Sequence, residues 1–434
     1  MNLLISFATP TLYDFSNLKK LNIDEKKLFL ICPYDFFYFI FSIRNKILFK
    51  PFNFYGKETE NYLKKEFTEL KIKSLRPNIL DIIYFLPISL IKATKNIIKF
   101  IKILKGDNKT RIYSHGVEIS GYCLDSMARF FGKKFRIEEE NGIANIIASF
   151  LYLLFLEIYT SWFVSKFEKK KINRVIINHN VYAESGLFAE FSQALFGSEV
   201  CLAQKLYKDV IKIADVKKDL NCYIPDFKSS ENEDKKFFWY SSNSITQQKD
   251  LASKEIDLNK VLVVMHTFAD ASHIHPEHEP LFISYYQWIK KTLEFARSIK
   301  DQNFIFRTHP FGLKFHPKDK FTLMKLFKNL PNNIKLEDAN LVEDSSYHFK
   351  KNIPIIVTYK GSITLEMGCS GINVVAMKLR TGDEFSIVPS SLKEYKEILE
   401  GKIDPNKFYL KKEQIIEYKK MEAKLKNFII PQDI

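Results

Sequence analysis

Short apolar runs rich in β-branched residues alternate with segments of helical spacing in the second half of the chain. The runs predict buried strands at 259–268, 303–310, 333–340, 353–361 and 372–378. Apolar residues recur three and four positions apart between these runs, which predicts helices at 280–300, 319–330 and 362–371. Five strands that alternate with helices over about 120 residues are typical of a Rossmann-like parallel sheet.

The first half shows a similar alternation with longer helices. The pattern predicts strands at 3–9, 28–34 and 171–180 and helices at 58–70, 88–105, 143–167 and 182–197, with a strand or turn running into a helix at 111–132. A polar stretch around 228–256 predicts a linker. We therefore expect an α/β fold of two Rossmann-like domains, 1–235 and 259–405, joined by a linker at 236–258 and followed by a helical segment at 406–434.

Two apolar segments raise the question of a membrane. Residues 143–167 approach the length of a membrane span, but Glu157 interrupts them, so we predict a buried core helix. Residues 77–105 mix isoleucines with lysines, and Pro87 is expected to interrupt a helix there. Their second half is typical of an interfacial helix on anionic lipid, while a surface helix packed on its own domain is a slightly favoured alternative.

The net charge of the 434-residue chain is +15, from 66 Lys and Arg against 51 Asp and Glu. The lysines are spread along the chain, and no nucleic-acid-binding motif is visible, so no nucleic acid is predicted as a partner. An anionic substrate, an anionic membrane surface, or simply the amino-acid usage of an AT-rich genome fits this charge. Five widely spaced cysteines without a CxxC pair indicate a cytoplasmic protein, with peripheral attachment to the inner membrane left open.

Two strand ends in the second domain carry residues suited to a phosphate. Ligands of parallel sheets bind where the strands end, and the first such group is Arg307, His309 and Pro310. Arginine and histidine donate hydrogen bonds to phosphate, and proline stiffens the turn. The second group is Lys360, Gly361, Ser362, Thr364 and Glu366. Glycine permits close approach, the serine is expected to cap a helix whose free N–H groups bind an anion, and the glutamate could accept from ribose.

A third strand end, His266 to Asp270, is expected to face the same crevice and to orient a donor sugar or water. His273, His275 and His278 follow in a segment with no strand or helix to fix their geometry, so no metal site and no bound cofactor are predicted.

The first domain has titratable groups at strand ends that could act as a general base. The candidates are His115, Asp125, His179 and Glu184. Each one alone is more readily explained as structural, and the choice among the four stays open.

Taken together, these motifs resemble bacterial glycosyltransferases of capsule, lipopolysaccharide and other surface polysaccharide synthesis, which have two Rossmann domains facing a central cleft (GT-B). The residues that carry the resemblance are Gly116–Arg129, His179–Gly186, His266–Asp270, Phe282–Trp288, Arg307–Pro310 and Lys360–Gly371. The His-Pro and later Gly-Ser elements are also similar to those of sialyltransferases, Kdo transferases and the CDP-glycerol polymerases of teichoic acid synthesis.

The resemblance implies that His309 and Ser362 bind the phosphate of a cytidine nucleotide. It implies an acceptor-binding first domain, a nucleotide-sugar-binding second domain, and transfer of a sugar, with a CMP-linked donor favoured, to an oligosaccharide or lipid-linked glycan. A CDP-glycerol type of phosphotransferase and a non-catalytic assembly partner on the membrane remain as alternatives.

Overall fold

The computed structural model shows two compact units, made mainly of residues 1–220 and 221–434. Each unit is built on its own β-sheet. The residues whose structure is described are 1–5, 27–33, 35, 54–104, 107, 109–131, 143–170, 172–177, 182–203, 211–213, 251–268, 281–282, 284–309, 318–339, 348–349, 351–377 and 385–428.

The first unit contains a six-stranded sheet and a small hairpin. The strands are β1 (Asn2–Ile5), β2 (Lys27–Ile31), β3 (Lys71–Ser74), the hairpin strands β4 (Tyr113–Ser114) and β5 (Val117–Glu118), then β6 (Arg174–Ile177), β7 (Glu199–Leu202) and β8 (Ile211–Ile213). The sheet order is β3-β2-β1-β6-β7-β8, and it is parallel except for the β7–β8 pair. Its helices are α1 (Phe54–Glu66), α2 (Ile79–Leu104), α3 (Ser120–Phe131), α4 (Ile143–Phe167) and α5 (Leu187–Phe196).

The second unit contains a five-stranded sheet that is parallel throughout. Its strands are β9 (Ile256–Val264), β10 (Asn303–Arg307), β11 (Ile334–Glu337), β12 (Ile353–Thr358) and β13 (Val375–Ala376), in the order β11-β10-β9-β12-β13. Its helices are α6 (Tyr285–Ser298), α7 (Lys318–Leu326), α8 (Ile363–Cys369), α9 (Leu392–Leu399) and α10 (Lys412–Phe428). All six residues of β12 are buried, as expected for a central parallel strand covered on both faces.

The strand order within each sheet is the one expected of a doubly wound α/β fold. Starting from its first strand, each sheet grows outward on one side and then reverses, so the direction changes between β1 and β6 and between β9 and β12. Loops at such a reversal diverge and leave a crevice at the carboxyl ends of the strands. The predicted α/β class is thus confirmed, and the reversal in the second unit lies between two of the loops singled out from the sequence.

Several boundaries differ from the sequence-based expectation. Pro87 lies inside the 26-residue helix α2, which continues through it, so the predicted break is wrong. The helix survives the lost hydrogen bond because its inner face packs along α4. Leu251 is buried in the second unit's core and β9 begins at Ile256, so the packed structure starts before the predicted 259.

The apolar helix α4 belongs to the core of the first unit. Residues Ile146–Phe167 are long and apolar enough to cross a membrane, yet 72% of the most apolar window is buried. Its interior acid, Glu157, accepts hydrogen bonds from Asn96 of α2 and from Ser114 of β4. A buried acid whose oxygens have hydrogen-bond partners inside the unit is what a core helix requires.

Candidate functional site

A half-open cavity in the second unit lies at the carboxyl ends of the neighbouring strands β9 and β10. The space enclosed within it is about that of one water molecule, so a larger ligand would lie at its mouth. The residues that line it are Met265, His266, Thr267, Phe268, Thr308, His309, Asp319 and Leu323. Two of the predicted site residues, His266 and His309, are therefore brought together here.

Ring contacts fix the position of His266. Its ring lies 4.9 Å from that of His309 and stacks on Tyr285 at 4.8 Å, centre to centre. Tyr285 in turn lies 4.7 Å from the ring of Tyr359, which directly precedes the Lys360 loop. A continuous row of rings therefore links the loops after β10, β9 and β12.

The hydrogen bonding of His266 also indicates its tautomer. Its Nδ1 accepts the backbone N–H of Thr267 at 2.9 Å. A neutral imidazole that accepts at Nδ1 carries its proton on Nε2. In the neutral form, His266 can therefore offer an N–H donor to an anion.

Other contacts tie the cavity walls to the sheet. Asp319 of α7 accepts the backbone N–H of Phe268 at 3.0 Å. Thr308 donates to Asp338 at 3.4 Å, and its hydroxyl accepts the N–H of Ala339 at 3.1 Å. The segment that carries His309 is thus anchored to the residues that follow β11.

Arg307 has a different surrounding from the one expected of a phosphate ligand. Its guanidinium is buried and lies 3.2 Å from Oε1 of Glu337 at the end of β11. His348 approaches the other oxygen of the same carboxylate, with Nε2 3.1 Å from Oε2. The carboxylate already engages the arginine, so we assign Arg307 to the buried network that joins β10 to β11.

The loop after β12 departs from the predicted helix cap. Ser362 has helical torsion angles, and its side chain makes no capping hydrogen bond. It donates instead to Glu366 at 3.0 Å, while the N–H and hydroxyl of Thr364 both donate to the carbonyl of Gly361. The N–H of Thr364 is therefore already used inside the loop, contrary to the expected anion site, and Ser362 and Glu366 form one hydrogen-bonded pair.

Lys360 and Gly361 border this pair, and both are partly exposed. The nearest contact of a methyl group added at Gly361 would be the side-chain oxygen of Thr358, at 3.4 Å. The protein alone does not require glycine at this position, which leaves close approach by a ligand as a reason for it. Pro310 and Asp270 lie outside the described residues, as do His273, His275 and His278.

Three of the four base candidates in the first unit can be examined. Glu184 is fully buried, in a π-helical turn (Tyr182–Gly186) at the start of α5. It accepts from Ser126 at 2.9 Å and from Tyr152 at 3.2 Å. Burial raises the pKa of Tyr152, which keeps this donor protonated. Asp125 is also fully buried, and His179 lies outside the described residues.

His115 differs because it is partly exposed and occupies a constrained turn. It forms the tip of the β4–β5 hairpin with Gly116, and both residues have positive φ, 47° and 81°. That is the signature of a type I′ turn, in which asparagine and glycine are preferred. Burial, and secondly the charge of Lys92, lower the pKa of His115 to about 4. The imidazole is therefore neutral at pH 7.

The neighbours of His115 form a polar cluster that the sequence analysis missed. The Nε2 of His115 lies 3.4 Å from Nζ of Lys92 and 3.2 Å from Oγ of Ser161. Lys92 also lies 3.9 Å from the carboxylate of Glu157, whose pKa is raised by burial. Glu157 was recognised only as an interruption of an apolar helix, because its partners are far away in sequence.

In the described part of the chain, no three His, Cys, Asp or Glu side chains cluster as metal ligands would. The sequence matches no protein-family model, and no curated protein is significantly similar to it.

Proposed function

We propose that the chain is a glycosyltransferase of the GT-B type, which transfers a sugar from a nucleotide-activated donor to a bacterial surface polysaccharide. The observation that supports this most is the pair of histidine rings, 4.9 Å apart, in the strand-end cavity beside the sheet reversal. Carboxyl-end crevices at such a reversal are where doubly wound sheets bind nucleotides.

The proposal places the donor phosphate over the end of β9. Strands β10 and β12 flank β9 on either side, and adjacent strands are about 5 Å apart. A phosphate over β9 therefore lies within reach of His266 below it, His309 on one side and Lys360 on the other. Of the predicted ligands, Arg307 is left out of this set because Glu337 engages it.

These groups are suited to the chemistry of sugar transfer. As the bond between the sugar and the phosphate oxygen breaks, negative charge grows on the departing nucleotide. Fixed N–H donors and a lysine ammonium stabilise that charge without reorganisation. We propose that the Ser362–Glu366 pair forms hydrogen bonds with the ribose hydroxyls. The favoured donor is a CMP-linked sugar.

The acceptor hydroxyl must lose a proton during transfer. Because Glu184 and Asp125 are fully buried, we propose that the base comes from His115 or His179. The imidazole of His115 is neutral at pH 7 and can accept a proton, but its lowered pKa of about 4 makes it a weaker base than an ordinary histidine.

Nucleotide binding tests the proposal with a matched pair of lysine variants. Lys360→Gln removes a positive charge at the carboxyl end of β12, and Lys351→Gln removes the same charge from an exposed position at its amino end. Calorimetry with CMP, CDP, UDP and GDP should show binding to the wild type. Loss of one charge-assisted hydrogen bond should weaken it roughly 10- to 100-fold in Lys360→Gln, with no change in Lys351→Gln.

Absence of binding by every nucleotide would overturn the proposal and favour a non-catalytic assembly partner. If a nucleotide binds, the mass of the product separates the two chemistries. A glycan extended by one sugar supports glycosyl transfer, whereas one extended by a glycerol phosphate unit supports the phosphotransferase.

A further inference from the structure

Helix α2 presents large apolar side chains to solvent along its whole outer face. Leu80, Tyr84, Ile91 and Ile98 are 72%, 76%, 56% and 60% exposed. Their spacing of four, seven and seven residues keeps them on one line along the helix. Ile79, Ile83 and Ile88 are also more than half exposed and widen this line into a surface.

The opposite face of α2 fixes its orientation. Ala93, Asn96 and Phe100 are buried, and α2 packs along α4, with Asn96 donating to Glu157 at 3.0 Å. The exposed line therefore points away from the core of the first unit. Exposed apolar surface of this extent is uncommon on a soluble monomer and indicates a binding surface.

The charges on α2 select the partner. Lys95, Lys99 and Lys102 are exposed on the second half of the helix, and the single acid in the helix sequence is Asp81 near its start. Lys92 is set aside because it contacts Glu157 and His115. The lysines lie among the apolar side chains of the same outer face. Lysine stems pack along apolar surface while their ammonium groups reach the polar level, which suits a helix in the headgroup region of an anionic bilayer.

We propose that the outer face of α2, residues 79–102, docks on a membrane surface that contains anionic phospholipid. The apolar side chains enter the boundary between headgroups and acyl chains, with Tyr84 keeping its hydroxyl at the polar level. The three lysines pair with lipid phosphates. A second copy of this chain is a poorer occupant, because a contact along this face would bring three lysines from each helix into the interface against one acid, Asp81, from each.

Vesicle flotation of the full-length protein tests the proposal. Wild type should float with phosphatidylcholine vesicles that contain phosphatidylglycerol and much less with pure phosphatidylcholine, and added salt should weaken binding. Tyr84→Asp and Ile91→Asp should each lower the affinity for anionic vesicles about tenfold or more. Each removes an apolar group that enters the bilayer and adds a negative charge that the anionic lipid repels. Both positions are exposed, so the fold is expected to persist, as circular dichroism would show.

Phe321→Asp is the matched control, because Phe321 is 62% exposed on α7 of the second unit. It should bind vesicles like the wild type. Equal binding by wild type and the α2 variants, or no wild-type binding to anionic vesicles, would overturn the proposal. A dimer that the α2 variants dissociate, without vesicle binding, would assign the face to a second copy. None of these readouts depends on a nucleotide, so the result is separable from that of the proposed function.

Discussion

Arg307 and His309 are two residues apart, yet the structure gives them different roles. Removing one partner from a buried ion pair leaves an uncompensated charge, so Arg307→Ala should lower the free energy of unfolding by about 3–5 kcal/mol. His309→Ala, at a partly exposed cavity residue, should leave the free energy of unfolding nearly unchanged and abolish sugar transfer. Urea denaturation and a transfer assay measure the two effects. Near-normal transfer by His309→Ala would contradict the site.

The contrast shows what single residues reveal before a structure is known. An arginine and a histidine after an apolar run mark a strand end with useful chemistry, and both do lie at the end of β10. The partner of Arg307 is 30 residues away on β11, and nothing local in the sequence encodes that pairing. Position along a strand was predictable, whereas ion-pair partners and burial depend on which strands become neighbours.

His115 allows its turn and its chemistry to be separated. Asparagine is favoured in a type I′ turn, so His115→Asn should keep the hairpin. His115→Val should cost about 1–2 kcal/mol, because a β-branched residue is strained at positive φ. Loss of transfer in His115→Asn with unchanged unfolding would support its role as the base; full transfer would leave His179 as the candidate.

The lowered pKa of His115 also predicts a pH effect on stability. The pKa of His115 is 6.5 in the unfolded chain and about 4 in the folded protein. At pH values between these two, the unfolded chain binds a proton that the folded chain does not. The stability of the wild type should therefore be full above this window and fall as the pH drops through it. His115→Asn removes this titration, so its unfolding free energy should fall less from pH 7 to pH 4, as denaturation at both pH values would show.

At the scale of elements, α8 and α10 meet through a glycine. A methyl group on Gly368 would lie 2.6 Å from the ring of Tyr418, which is closer than packed atoms allow. Gly368→Ala should therefore destabilise the protein by about 1–3 kcal/mol through overpacking. Gly361→Ala is the control, since its nearest contact would be 3.4 Å; it should fold normally and weaken nucleotide binding. The measurement is thermal or urea unfolding of both variants.

A double-mutant cycle checks the cause. If the clash with Tyr418 is responsible, Gly368→Ala should cost less in a Tyr418→Ala background than in the wild type. Equal cost in both backgrounds would show that the helix contact is not the reason.

Elements with a strong hydrophobic pattern in the sequence were predictable, and elements with a weak pattern were not. Continuous apolar runs predicted strands β9, β10 and β12. A helix was also predicted at 182–197, where a π-helical turn leads into α5 and α5 ends at the left-handed Gly197. Strand β3 reads KIKS and is half exposed, so its short, lysine-bearing sequence gave no signal. The break expected at Pro87 does not occur, because the packing of α2 on α4 outweighs a local helix breaker.

At the scale of the whole molecule, two sheets share one construction. Both grow outward from their first strand and reverse once, although their helices differ in length and in apolar character. The α/β class was predictable because strand and helix periods alternate along the chain. The order of strands was not, since it depends on long-range pairing. Each reversal fixes where a ligand crevice can form before any side chain is considered.

The two proposals assign separate activities to the two units, and this predicts how fragments behave. Each unit has its own buried cluster, around Leu4, Leu28 and Ile176 in the first and around Val261, Phe304 and Val357 in the second. Residues 221–434 expressed alone should therefore unfold cooperatively and bind the preferred nucleotide without binding vesicles, while residues 1–220 should show the reverse. Calorimetry and vesicle flotation on both fragments measure this. Nucleotide binding by the first fragment, with none by a folded second fragment, would place the phosphate site away from β9 and contradict the assignment of His266 and His309.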